Sequence, residues 1–228
     1  MRGWIAGLLT LGACGSANAD PALDWSGFYA GAMVGYGWSD GSFYAGEPDF
    51  NFVSNHVLED GFAGIFGGYQ THLASGLVLG IEADIARRLA SAHDGLTLNV
   101  MPTWFDGQLL EADLNWSGSV RARAGYAAGR WLPFVTAGVG WASYDITHQN
   151  IDPKVIWEPP QSITYSETSV GWTAGAGADF ALTEKVIARF EYRYADYGKA
   201  DVPLYAWQID SDYSLKTHDI IAGLAYRF

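Results

Sequence analysis

Five histidines, His56, His72, His93, His148 and His218, are the side chains whose chemistry is easiest to misread. Three of them sit beside acids: His56 near Glu59 and Asp60, His93 near Asp94, and His148 near Asp152. Imidazole with carboxylate is a ligand set for divalent transition metals. These three clusters lie in polar connecting stretches, however, where solvated loop residues are the commoner reason for such company, and no metal is expected. Ser169 and His218 are available for acyl transfer, but no spacing ties them into a nucleophile with its base. There is no His-Glu-x-x-His, no cysteine pair and no phosphate-binding glycine loop. The expectation is a protein without a catalytic site and without a cofactor.

Charged residues that recur on alternate positions carry more information. Glu82 and Asp84 alternate with apolar neighbours, as do Arg121 and Arg123, then Asp179, then Arg189, Glu191 and Arg193, and finally Asp219 and Arg227. A period of two is the signature of a strand. The chain reads as eight such segments, 27–38, 61–73, 77–88, 114–126, 131–144, 169–182, 186–195 and 217–228. In each, one face is apolar: Phe28, Val34 and Tyr36 in the first, Leu79, Ile81 and Ile85 in the third, Ile220, Leu224 and Tyr226 in the last. The other face collects glycines, hydroxyls and every strand charge except Arg87.

That distribution decides which face is inside. A soluble barrel or sandwich turns its apolar face inward. Here the charged face is the one crowded with glycine, and an apolar outer face free of mid-strand charge is what lipid requires, since an Arg or Lys at the bilayer midplane costs about 2–4 kcal/mol. Aromatics fall at both ends of the segments. Phe28, Tyr69, Tyr126, Trp131, Phe180, Tyr226 and Phe228 group at one rim, and Trp38, Trp116, Trp141, Trp172 and Tyr194 at the other, as interfacial belts do. The connections alternate too. Ala74 to Gly76, Ala127 to Arg130 and Thr183 to Lys185 are tight turns, whereas 39–60, 89–113, 145–168 and 196–216 are long and polar and are expected to be loops without regular structure. The fold expected is all-β: an eight-stranded antiparallel transmembrane β-barrel with short periplasmic turns and four long extracellular loops.

The inward charges are expected to pair across neighbouring strands, Glu82 and Asp84 with Arg121 and Arg123, Asp179 with Arg189, and Arg193 with Asp219, with Glu191 and Arg227 in the same network. The interior of an eight-stranded barrel is only wide enough for side chains. A packed polar interior is therefore the expectation, with a gated ion path as its alternative.

The amino terminus follows a secretory pattern. Met1-Arg2-Gly3 is basic, Trp4 to Ala13 is apolar, and Ala17-Asn18-Ala19 presents small residues for cleavage after Ala19. The expected division is 1–19 as signal peptide and 20–228 as barrel. Leu11-Gly12-Ala13-Cys14 offers a lipobox as the competing reading. Cys14 is the sole cysteine, so the mature chain has no internal disulfide. No run reaches the roughly 20 apolar residues of a membrane-spanning helix. With 25 Asp and Glu against 13 Lys and Arg, nucleic acid is not an expected partner.

Particular fragments carry a family resemblance: Asp24-Trp25-Ser26-Gly27-Phe28-Tyr29, Gly67-Gly68-Tyr69, Gly80-Ile81-Glu82-Ala83-Asp84, Gly118-Ser119-Val120-Arg121-Ala122-Arg123, Gly171-Trp172-Thr173-Ala174-Gly175, Arg193-Tyr194 and the terminal Leu224-Ala225-Tyr226-Arg227-Phe228. Together they resemble the outer-membrane immunogenic, porin-like OmpA-type β-barrel family of Gram-negative bacteria, over nearly the whole mature chain. The resemblance implies residence in the cell outer membrane among lipid and lipopolysaccharide. It also implies insertion by the outer-membrane assembly machinery, with Tyr226 and Phe228 as the signal that machinery reads. Family roles in envelope integrity, surface antigenicity and host contact follow as expectations, with a host or surface ligand reached through the loops. A narrow porin-like channel is the alternative role, and a lipid-modifying barrel enzyme a third. Because the chain ends at the last strand, no periplasmic peptidoglycan-binding domain is expected.

Overall fold

The computed structural model describes residues 23–47, 50–89, 108–150, 162–201 and 211–228. The signal segment, including Ala17, Ala19 and Cys14, lies outside them, as does His93. Eight strands follow in chain order: β1 (Gly27–Glu47), β2 (Phe50–His72), β3 (Leu77–Leu89), β4 (Gln108–Tyr126), β5 (Trp131–Asn150), β6 (Ser162–Ala181), β7 (Val186–Asp201) and β8 (Ser211–Arg227). Each pairs antiparallel with its sequence neighbour, and β1 pairs with β8 to close the barrel.

The alternation in the sequence is the cause of this arrangement. Side chains in a strand point to opposite faces in turn, and closure leaves no unpaired edge, the condition for a sheet to cross a bilayer. The apolar set faces outward, with Phe28 65% exposed, Ile65 62% and Leu224 58%. The charged set faces inward, where Glu82, Arg121 and Glu191 are each 1% exposed. The aromatic belts form as expected. On the periplasmic rim Phe28 packs on Tyr69 at 4.8 Å, Trp131 on Phe180 at 4.7 Å and Tyr226 on Phe228 at 5.4 Å. On the outer rim Trp172 packs on Tyr194 at 5.1 Å.

The periplasmic turns sit where the sequence puts them. Gly76 takes a positive φ of 83° and donates its amide to Leu73 at 2.9 Å, closing β2 onto β3. Thr183 Oγ1 accepts from the amides of Lys185 and Val186 in the turn before β7. The outer ends differ from expectation. The stretches 39–60, 89–113, 145–168 and 196–216 are not structureless throughout. The β1–β2 ladder runs unbroken to the pair Glu47–Phe50, and β5 pairs with β6 as far as Gln149–Ser162. Apolar alternation stops at the lipid boundary, but backbone pairing needs no lipid, so the hairpins continue as strands beyond it. A spanning strand needs only about 9–11 residues, whereas β2 has 23.

Candidate functional site

The barrel interior is where the charged residues converge. Its packing begins with glycine. In several register pairs a lumen glycine stands opposite an aromatic, among them Gly68 opposite Tyr29, Gly31 opposite Phe66, Gly35 opposite Phe62 and Gly177 opposite Phe134. A Cβ on Gly35 would lie 2.3 Å from the Phe62 ring, and one on Gly177 would lie 2.8 Å from Phe134. The missing side chain is the space into which the ring folds, and the rings in turn support guanidinium groups. Arg123 lies 3.8 Å over Phe134, Arg189 4.4 Å over Phe66 and Arg88 4.7 Å over Phe62. Such contacts contribute roughly 0.5–2 kcal/mol, most when desolvated.

The ion pairs form in tiers. Nearest the periplasm, Asp179 on β6 receives Arg189 Nε at 2.9 Å and also Arg123 Nη2. Glu82 on β3 is held by Arg121 Nη2 at 2.6 Å, by Arg123 Nη1 at 3.3 Å and by Arg189, and it accepts the Tyr29 hydroxyl at 2.6 Å. In the next tier Arg121 also engages Glu191, and lies 3.3 Å from Asp84. Arg193 Nη1 meets Asp84 at 2.9 Å, with its Nε 3.4 Å from Glu191, while Ser119 donates to Asp84. In the outer tier Arg88 joins Asp60 at 2.7 Å and Asp219 at 2.8 Å. Gly37 makes room for that last pair, since a Cβ there would fall 2.2 Å from Asp219 Oδ1.

Nine of the ten sequence-identified charges therefore share the network, and one does not. Arg227 turns to the periplasmic rim and donates to the backbone carbonyls of Asp24 and Glu184. It follows the strand alternation but lies past the last full tier, where the nearest acceptors are carbonyls of the N-terminal segment and the β6–β7 turn. The Arg193–Asp219 pairing is also modified. The two are register partners, yet Arg193 engages Asp84 and Glu191 while Asp219 engages Arg88. The sequence reading missed Arg88, Asp60 and Tyr29 as members. Arg88 was visible on the polar face of its strand, but Asp60 fell in a stretch taken for loop, and Tyr29 reads as an ordinary strand aromatic.

A buried aromatic lies toward each end of this interior. At the periplasmic end Trp25 is fully buried with Leu132 and Val78. It is held there by Gln70 Nε2 donating to its carbonyl at 2.7 Å and by the His72 amide donating to Ser26 Oγ at 2.9 Å. The Ser26 amide and hydroxyl hold the neighbouring Asp24 carboxyl below the usual carboxylate range. At the outer end a bulge between Asp196 and Lys199, with Gly198 at a φ of 71°, leaves Tyr197 only 6% exposed.

The alternative chemistries fare differently. Ser169 and His218 are not brought together. The Ser169 hydroxyl bonds Tyr144 at 3.0 Å, whereas His218 stacks on Trp38 at 5.6 Å and shares a 2.7 Å hydrogen bond with Tyr192. Among the described residues no group of three His, Cys, Asp or Glu side chains converges as a metal site would.

Comparison with known proteins places this architecture. A family model described as outer membrane protein beta-barrel domain matches residues 6–228. The chain belongs to that family. It is an outer-membrane β-barrel protein. It is similar to the 25 kDa outer-membrane immunogenic protein of Brucella abortus, with 30% identity covering 91% of this chain and 81% of the relative. It also resembles the 22 kDa outer membrane protein of Rhizobium leguminosarum, with 27% identity over 93% and 82%. Among solved structures, the outer membrane protein OprG of Pseudomonas aeruginosa shares the fold, with a TM-score of 0.53 at 12% identity, covering 89% of this chain and 96% of that one.

Proposed function

We propose that this protein is a closed, structural outer-membrane barrel that contributes to envelope integrity and presents its outer hairpins to the environment or a host. The observation that carries this reading is the interior. Its guanidinium and carboxylate groups are engaged with one another across the lumen, and Trp25 and Tyr197 lie buried toward its two ends. A group used for conduction would have to be free to exchange its partner for a passing ion. Breaking one of these pairs instead leaves a charge in a dry interior, at a cost of about 3–5 kcal/mol. The acidic balance of the chain, with a formal charge of −12, gives the displayed surface its sign. The relatives named as immunogenic outer-membrane proteins are consistent with a surface that antibodies reach.

The lumen pairs serve the scaffold and the outer hairpins are the working surface, with no reaction assigned to either. In the membrane the partners are lipid and lipopolysaccharide, and Tyr226 and Phe228 on the last strand serve as the signal for the assembly machinery. Two measurements test the reading. Purified protein in a planar bilayer is expected to give no steady conductance, and a stable ion current would replace the structural role with a channel. Photocrosslinking from the outer hairpins in intact cells is expected to trap surface partners, and adducts confined to lipid would remove the display role.

A further inference from the structure

The lumen charges do not balance uniformly along the barrel. In the two inner tiers Glu82, Asp84, Asp179 and Glu191 meet four guanidinium groups, those of Arg121, Arg123, Arg189 and Arg193. The outer tier has Asp60 and Asp219 on one guanidinium, that of Arg88. Arg88 gives one terminal nitrogen to each carboxyl, at 2.7 and 2.8 Å. Arg193 stands opposite Asp219 in the ladder but is already engaged by Asp84 and Glu191. Among the described residues, the remaining groups turned toward this tier carry no positive charge: Gly37 and Ser39 from β1, and Tyr197 and Thr217 from β7 and β8. Asp219 is 7% exposed and Asp60 16%. Two like charges sharing one counter-charge at low dielectric do not both ionise readily, and the pair takes up a proton instead.

We infer that the outer end of the lumen is a proton-binding site, where the Asp60–Asp219 pair holds one proton against the single guanidinium of Arg88. The proton comes from the outer aqueous side through Asp60, the more exposed of the two, and bonds to a carboxylate oxygen, so that the tier becomes neutral. Neutrality here makes the outer closure of the barrel pH-dependent. The sign follows from linkage. The folded pair holds a proton that the unfolded carboxylates, with an ordinary pKa of about 4, have released. Stability contributed by the pair is therefore present at lower pH and lost as pH rises through the folded-state titration.

Infrared spectroscopy of the full barrel in maltoside micelles, which contain no ester carbonyl, tests the inference directly. At about pH 7, where unperturbed carboxylic acids are ionised, wild type is expected to show the carbonyl band of one neutral carboxylic acid. Asp60→Asn and Asp219→Asn should each abolish it, because either leaves one carboxylate on one guanidinium. Glu184→Gln, in a periplasmic turn, should leave it unchanged. Absence of the band in wild type overturns the inference, as would neutralisation by a bound cation in place of a proton. Persistence of the band in either Asn variant overturns it too. Should both variants fail to fold, wild type still decides the matter: the denaturant midpoint should fall as pH is raised from about 4 while the band persists and level off once the band has gone, and a midpoint that is flat across the window in which the band persists overturns the proposed link to closure. None of these outcomes depends on whether the hairpins bind a partner or the lumen conducts.

Discussion

Arg121 has the most to lose by truncation. Its guanidinium lies within ion-pair distance of Glu82, Asp84 and Glu191, on two strands that face each other across the lumen. Arg121→Ala removes charge from a site 1% exposed and leaves acids without full compensation. The expected cost is about 3–5 kcal/mol, read as a lower denaturant midpoint of the purified barrel. Adding Glu191→Gln should recover part of that loss, and a double-mutant cycle would return the coupling. Additive losses would mean that the two do not interact. Tyr29→Phe isolates a smaller contribution. It deletes the hydroxyl that donates to Glu82 at 2.6 Å but keeps the ring beside Phe66. A hydrogen bond to a charged group contributes about 1.5–3 kcal/mol, so Tyr29→Phe should destabilise by that amount without changing the folded spectrum.

At the scale of the strand, glycine is what lets neighbouring chains approach. A Cβ on Gly31 would lie 2.2 Å from the Leu224 carbonyl, and one on Gly138 would lie 2.1 Å from the Val120 carbonyl. Both clash with backbone, which a rotamer change cannot relieve. Gly31→Ala and Gly138→Ala are expected to lower the yield of heat-modifiable barrel strongly. Gly129→Ala has open space around it but carries a positive φ of 63°, and should cost only the roughly 1–2 kcal/mol of left-handed backbone. Wild-type yield from Gly31→Ala would show that β1 and β8 are more pliant than their register implies. The last strand supplies a further test. Phe228 is 75% exposed on the lipid face, and its amide donates to the Phe28 carbonyl at 3.0 Å beside the closing seam. Deleting Phe228 should reduce assembled protein in cells far more than Leu182→Ala, another exposed apolar change on the same rim. Equal yields would remove its role as an assembly signal.

For the molecule as a whole, the outward apolar face and inward charge make the bilayer the solvent and the lumen the core. The folded barrel should resist extraction by high salt, and should migrate differently on gels before and after heating. It should unfold in one cooperative transition, because the cross-lumen pairs tie β3 and β4 to β7 and the two inner tiers share Arg121. Two separated transitions, followed by tryptophan emission and by gel mobility, would indicate that the outer hairpins melt independently of the spanning barrel.

The sequence alone determined the strands that cross the bilayer, their facing and the three tight turns, because each rests on a local rule. A period of two assigns the face, and short Gly- or Thr-containing segments close the turns. It also identified nine of the network's charges, since a charged residue alternating with apolar ones inside a lipid-facing strand has only the lumen to occupy. Tertiary structure decided who pairs with whom. Sequence reasoning reached the neighbours Glu82–Arg121 and Asp179–Arg189, which the ladder register sets opposite each other. It could not reach Arg189–Glu82 or Arg193–Asp84, which join β7 to β3 across the barrel and exist only once the sheet has closed. Closure likewise brought Asp219 to Arg88, placed Arg227 at the rim and folded Trp25 into the periplasmic mouth. The strand extensions beyond the membrane were hidden for a different reason. Where both faces meet water, no alternation is required, and a ladder held by backbone hydrogen bonds leaves little trace in the side chains.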